Sequence, residues 1–291
     1  MHESPRAKKH LGQHFLVDVS YCRRIARFAA GFRPGPVVEI GAGTGFLTRQ
    51  LLREFDKVVA VEVDRDLVHR LLSDFDSEIQ EHRLEVLQAD ILDCDWSHLV
   101  RVALKLPSEA PATGADRSPE GIEERKVAIV GNLPYYIATR IIQSLLPHAG
   151  MLAGCVFMTQ REVADRLAAK PGSPDYGYLS VVVQQCFQVT PGFHVPPGAF
   201  RPRPKVDSSI VRLDPHRVLP SPRELEALTH VLQSAFRHPR KTIRNNLLQA
   251  GYPTDSVEVA LQTAEINAGD RPGSIPGDSF RILAGMLSSS A

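Results

Sequence analysis

Between Pro36 and Leu213 the apolar positions follow two alternating rhythms. One is a short continuous β-branched run, as in "PVVEIG", "KVVAVEVD", "RLEVLQAD", "KVAIVGN" and "GCVFMT", the pattern of strands buried on both faces. The other has helical spacing. "FLTRQLLREF" sets Phe46, Leu47, Leu51, Leu52 and Phe55 on one side, and "RDLVHRLLSDF" repeats the pattern after the next strand. Strand, helix and strand in succession predict an α/β fold: an open, mostly parallel sheet covered by helices. After "GCVFMT", Thr159 and Glu162 predict a capping box opening the helix "REVADRLAA". "LSVVVQQCFQV" and "VDSSIVRL" read as two late, adjacent strands, bringing the sheet to about seven.

Two stretches interrupt this pattern. Residues 105–126, "KLPSEAPATGADRSPEGIEERK", are rich in Pro, Gly, Ser and Glu and have no periodicity, which predicts a long mobile surface insertion. "DPHRVLPSP", Asp214 to Pro222, reads as a linker. Beyond it, Ser221, Pro222 and Glu224 predict a capped helix start, and Leu225, Leu228, Val231, Leu232, Ala235 and Phe236 form an apolar stripe. "TIRNNLLQAG" and "SVEVALQTAE" continue in helical rhythm. The expected organisation is a sheet domain over 1–216 and a small all-α domain over 217–291.

Composition narrows the class only slightly. Basic and acidic residues nearly cancel, 34 against 33, so the whole chain does not advertise a polyanionic partner. Local charge says more: residues 1–33 carry seven Arg or Lys against two acids, and residues 201–217 carry five against two. Such runs flanking a ligand site would suit a phosphate backbone. Cys22, Cys94, Cys155 and Cys186 lack metal-ligand spacing and a disulfide pattern, so no metal is expected. The basic start "RAKKHLGQHFLVDV" has no sustained apolar core, and no apolar run reaches the roughly 18 residues of a membrane span. A reduced cytoplasmic protein is expected.

The candidate chemistry lies at strand ends. "VVEIGAGTGFLT" places Gly41, Gly43 and Gly45 between a strand and a helix, in GxGxG spacing rather than the GxGxxG of dinucleotide sites. Glu62 ends the second strand, where an acid can hold a ribose diol, and Asp90 ends the third, where it can accept from an adenine amine. Glu39 lies inside the first strand, where a carboxylate needs a partner. A ligand with a ribose and an adenine but no pyrophosphate fits this set, and S-adenosylmethionine is the candidate. The run "VAIVGNLPYYIATRII" then ends a core strand on an amide, a proline and two aromatics.

"EIGAGTG", "VEVD", "QAD" and "NLPY" together resemble a class I S-adenosylmethionine-dependent adenine-N6 methyltransferase, with its Rossmann-like sheet. "KKHLGQHFLVD", "QREVADRLAAKPGSPDYGYLSVVVQ", "VPPGAFRPRPKVDSSIVRL" and "FRHPRKTIRNNL", in that order, resemble more narrowly the ribosomal RNA adenine dimethyltransferases of the KsgA/Dim1 group, across nearly the whole chain. The resemblance implies that the NLPY loop grips the target adenine. Asn132 and the Leu133 carbonyl would accept from its amine, Pro134 would stiffen the loop, Tyr135 would stack on one face, and Phe200 on the other. Tyr136 is expected to pack. His14, where relatives often carry Asn, and Leu16 fall where the family contacts the cofactor, beside Glu39, Gly41, Gly43, Gly45, Glu62, Asp90 and Asn132. Arg201, Arg203, Lys205, Arg237, Arg240, Lys241 and Arg244 would meet RNA phosphate.

In family terms the substrate is the 3′-terminal stem-loop of small-subunit ribosomal RNA, with two adjacent adenines, in an immature small subunit. The enzyme would act as a monomer. Rival readings are a macrolide-resistance methyltransferase acting on large-subunit RNA, a DNA adenine methyltransferase, and an assembly factor that keeps the fold without the catalysis.

Overall fold

The computed structural model describes residues 8, 13–105 and 126–288. The insertion expected at 105–126 therefore falls, except for its two end residues, outside the described residues. Strands and helices are numbered along the chain. The main sheet contains β2 (Val37–Ile40), β3 (Val58–Glu62), β4 (Leu84–Gln88), β5 (Val127–Asn132), β6 (Leu152–Gln160), β7 (Phe187–Val195) and β9 (Ser208–Pro215), in the order β4-β3-β2-β5-β6-β9-β7. The pairs β2–β3, β3–β4, β2–β5 and β5–β6 are parallel, whereas β6–β9 is antiparallel. All residues of β2 and β3 are buried, which explains their unbroken apolar runs. The strand order reverses between β2 and β5, and ligands bind beyond the carboxyl ends of strands at such a switch point.

Helices α1 (Val19–Ala29), α2 (Phe46–Glu54), α3 (Arg65–Asp74), α4 (Asp76–Gln80), α5 (Trp96–Leu104) and α6 (Ala138–Ser144) accompany the sheet. Asp18, Asp64 and Asp95 cap α1, α3 and α5 by accepting from the backbone N–H two residues on. A separate two-stranded ribbon pairs β1 (Phe15–Leu16) with β8 (Phe200–Arg201), opposing Leu16 to Phe200. It ties the N-terminal segment to the chain that precedes β9. The four cysteines are free thiols, three of them buried.

Three expectations are corrected. "LSVVVQQCFQV" is not one strand: Tyr178–Gln184 form helix α8, and β7 starts only at Phe187. Val181, Val182 and Val183 are all fully buried, so neither a 2-residue nor a 3.6-residue rhythm shows in the sequence. Polar side chains decide for the helix. Ser180 Oγ accepts from Gly177 N at 3.1 Å and donates to Arg166 O at 2.6 Å, and Gln184 donates to the Leu167 and Ala169 carbonyls. The capping box at Thr159 does not form either. Thr159 stays in β6 opposite Ser209, its buried hydroxyl without a partner among the described residues, and α7 (Arg161–Ala168) starts after it.

The third correction concerns the domain division. Contacts group Met1–Arg161 with Thr190–Asp214, and Glu162–Val189 with Pro215–Ala291. The second unit is discontinuous, where the sequence suggested a single boundary after residue 216. The cause is packing: α8 lies against α9 (Pro222–Ala235) and α12 (Gly277–Ser288), contacts that chain order does not reveal. Helices α10 (Ile243–Gln249) and α11 (Thr254–Thr263) complete this unit. Its α9 starts with the expected capping box of Ser221 and Glu224. Phe236 and Phe280 meet in its core with ring centroids 5.6 Å apart.

Candidate active site

A cleft of ≈ 290 Å³ opens at the carboxyl ends of β2, β3, β4 and β5. The turn after β2 forms its floor. Gly41, Gly43 and Gly45 all have left-handed backbone, with φ of 69°, 58° and 78°. At Gly45 a Cβ would lie 2.6 Å from Phe75 Cε2, so a side chain is excluded by contact as well as by conformation. At Gly43 a Cβ would approach Phe15 Cδ1 to 3.2 Å, which would narrow the cleft between the glycine turn and the N-terminal segment.

Glu62 is fixed at the end of β3. Its Oε2 accepts from Gly43 N at 2.8 Å and its Oε1 from Asp64 N at 2.9 Å. Burial pushes this carboxyl upward from its ordinary value, and the backbone donors pull it back. A carboxylate offers about four acceptor positions, so both oxygens can still receive a hydroxyl each. Asp90 lines the same cleft, its Oδ1 accepting from Leu92 N at 2.9 Å. Two carboxylates there disfavour a phosphate and suit neutral donors such as a ribose diol and an adenine amine. This donor preference fits an adenosyl cofactor without phosphates.

Asn132 ends β5. Its Nδ2 donates to the His14 carbonyl at 3.0 Å. A carbonyl only accepts, so the amide orientation is decided and Oδ1 remains as an acceptor. The N-terminal segment is held from its other side as well. His14 Nδ1 donates to Pro202 O at 2.9 Å, and Gln13 Nε2 donates to Asp64 Oδ2 at 3.1 Å. Lys8 reaches Asp64 at 2.6 Å and Asp66 at 2.8 Å. Burial would raise the Asp64 carboxyl, but Lys8 and Gln13 hold it below its ordinary value. Tyr135 donates to or accepts from Ser208 Oγ at 2.8 Å, and its ring stacks on His14 with centroids 5.9 Å apart.

The cleft thus brings together His14, Gly41, Gly43, Glu62, Asp90, Asn132, Leu133, Pro134 and Tyr135 of the expected residues. Four others do not line it. Gly45 shapes the turn from behind, against Phe75. Glu39 is buried with its Oε2 accepting from Thr48 Oγ1 at 2.6 Å, and burial pushes its carboxyl up to about 8. Its partner is inside the fold. Leu16 and Phe200, opposed in the β1–β8 ribbon, both belong to the apolar core, and Phe200 is fully buried. An aromatic at that place fills the core beneath the N-terminal strap rather than a face of the cleft. Conversely Tyr136, expected to pack, is 61% exposed and lines the cleft, as do Gln13, Phe15 and Arg140. Nothing in the apolar rhythm distinguishes Tyr136 from its neighbour. Only the turn at 132–137 turns one ring inward and the other out.

Among the basic candidates Arg201, Arg203 and Lys205 are exposed beyond β8, and Arg237, Arg240 and Lys241 are exposed between α9 and α10. The second loop is held by buried Asn246. Its Oδ1 accepts from His238 N at 3.1 Å, and its Nδ2 donates to the carbonyls of His238 and Thr242, each at 3.1 Å. Arg244 is partly neutralised, its Nε lying 2.5 Å from Glu258 Oε1.

A family model described as ribosomal RNA adenine dimethylase matches residues 4–283. The chain belongs to that family. Similar relatives are proteins named ribosomal RNA small subunit methyltransferase A. That of Marinobacter nauticus is 39% identical over 97% of this chain and 92% of its own. That of Xanthomonas campestris is 42% identical over 84% of each. Among solved structures, the 23S rRNA methyltransferase ErmE aligns at a TM-score of 0.63 with 28% identity, covering 94% of this chain and 99% of its own. A dimethyladenosine transferase from Plasmodium falciparum shares the fold, with a TM-score of 0.71 over 93% of this chain and 96% of its own at 22% identity. A dimethylase of this family is a methyltransferase.

Proposed function

We propose that this dimethylase transfers methyl groups from S-adenosylmethionine to the N6 amines of two adjacent adenines near the 3′ end of small-subunit ribosomal RNA. The observation that carries the reading is the fixed Asn132 amide. With Nδ2 committed to His14, Oδ1 stands as a preorganised acceptor in a cleft that Glu62 and Asp90 also line. Glu62 would hold the ribose hydroxyls and Asp90 the adenine amine of the cofactor. When bound, S-adenosylmethionine supplies an electrophilic methyl on a sulfonium.

The protein's own part is positioning and electrostatics. Asn132 Oδ1 and the Leu133 carbonyl accept from the target amine, orient its lone pair and stabilise the positive charge that develops on nitrogen. Tyr135 stacks on the base, which must be unpaired or flipped to enter. The proton leaves to solvent after transfer, so no dedicated base is required. The second methylation needs the same grip to accept a monomethylated amine. Exposed Arg201, Arg203, Lys205, Arg237, Arg240 and Lys241 would meet the RNA backbone of the immature subunit, where recognition follows shape and unstacked bases. The enzyme would work as a monomer in the cytoplasm.

Identity favours this reading over the large-subunit one: 38–42% to small-subunit enzymes against 28% to the 23S enzyme. The test supplies labelled S-adenosylmethionine with unmethylated small subunits beside large subunits. Dimethyladenine in the 3′ region of the small-subunit RNA is expected, and is lost in Asn132→Ala. Label in the large subunit would replace the substrate. Tight binding to small subunits without label would make the protein an assembly factor.

A further inference from the structure

Tyr136 and Arg140 line the cleft without a task in the reaction as described. Tyr136 leaves its ring 61% exposed at the cleft, whereas adjacent Tyr135 is anchored to Ser208 and His14. Arg140, one helical turn on in α6, also lines the cleft and is exposed. Its guanidinium has no hydrogen-bond or ion-pair partner among the described residues. It also stands in the first turn of its helix, where the backbone dipole disfavours a cation. Neither folding nor helix energetics accounts for either side chain.

The chemistry of the cleft says what would satisfy them. A neutral target base offers a guanidinium no charge, and Glu62 and Asp90 face neutral donors. A nucleotide delivered to Asn132, however, brings its phosphodiester, and taking it out of the stack leaves the next base without a neighbour. An exposed aromatic beside an unpaired guanidinium is the pair that holds an unstacked base and its phosphate.

We infer that Tyr136 and Arg140 form a subsite for the nucleotide flanking the target adenine, Tyr136 stacking on its base and Arg140 binding the phosphodiester between the two. The inference rests on the methyl-transfer reading above. It makes these residues positioning groups for RNA, with no role in donor binding.

Steady-state methylation of unmethylated small subunits, with particle and S-adenosylmethionine varied separately at several salt concentrations, tests it. Arg140→Ala is expected to raise KM for the particle about tenfold. Its kcat and its KM for the donor stay unchanged, and the log–log salt dependence becomes shallower by about 0.7–0.9. Arg140→Lys restores the salt slope. Tyr136→Ala raises particle KM by roughly 5- to 150-fold with the slope unchanged, and Tyr136→Phe behaves as wild type. An unchanged particle KM in both alanine variants overturns the subsite. A rise confined to the donor KM in Arg140→Ala also overturns it, and gives Arg140 to the donor's carboxylate. Failure of the wild-type enzyme to label small subunits would instead sink the underlying reading.

Discussion

Replacing Asn132 by alanine separates the catalytic from the structural use of one side chain. The amide donates its nitrogen to the His14 carbonyl at 3.0 Å, and in the proposed reaction its oxygen is left for the substrate. Loss of a preorganised partner to charge developing in the transition state costs roughly 2.7–4 kcal/mol, or 10²–10³ in kcat. The structural loss is smaller. One neutral hydrogen bond contributes about 0.5–1.5 kcal/mol, so Asn132→Ala should remain folded, with Tm lower by only a few degrees. Asn132→Asp is the informative companion. It keeps acceptor oxygens for the amine but places a carboxylate against the His14 carbonyl, so it should retain part of kcat while the segment at 13–16 loosens and KM for the donor rises. Single-turnover transfer of label to small subunits measures the first effect, and thermal unfolding followed by circular dichroism the second. An alanine variant with kcat within about threefold of wild type would refute the assigned role.

Other expectations follow from buried groups. Glu39 has its carboxyl raised to about 8 by burial, with Thr48 as its partner. Between the ordinary carboxylate range and that value the unfolded chain has released this proton and the folded one retains it, so folding stability falls as pH rises across that window. Glu39→Gln keeps an acceptor for Thr48 without the titration, so its Tm advantage over wild type should grow from pH 5 to pH 8 and then level off; a constant difference would contradict this. Gly45→Ala meets Phe75 at 2.6 Å in left-handed backbone, and should cost about 2–4 kcal/mol in thermal unfolding and weaken donor binding measured by calorimetry. Asn246→Ala strips the buried partner from His238 and Thr242, and should cost about 2–3 kcal/mol. Binding of small subunits should weaken with it, while methyl-donor affinity stays as in wild type.

Much of this molecule is written locally. The apolar runs of β2, β3, β5 and β6 are strands because they are buried on both faces, and their burial leaves a signal in composition alone. Glycines and acids at strand ends are legible for the same reason: Gly45 admits no side chain, and Glu62 sits where a parallel strand delivers its last residue to the cleft. Asn132 stands legibly at the end of a core strand, but its expected role came from the resemblance of the NLPY run to the family. Local rhythm fails where burial is complete or where the partner is distant. Val181, Val182 and Val183 suit a strand or a helix equally, and the hydrogen bonds of Ser180 and Gln184 to the end of α7 decide. Glu39 looks like a site acid, but Thr48, nine positions along, takes its oxygen. Phe200 and Tyr136 exchange their expected places because the β1–β8 ribbon buries one ring and the turn after β5 exposes the other. The sequence by itself determined the sheet, the glycine turn and the acids, since each depends on its own backbone conformation and burial. Tertiary structure alone decided which aromatics face the cleft, which carboxylate is structural and how the chain divides, because those depend on contacts between residues far apart in sequence.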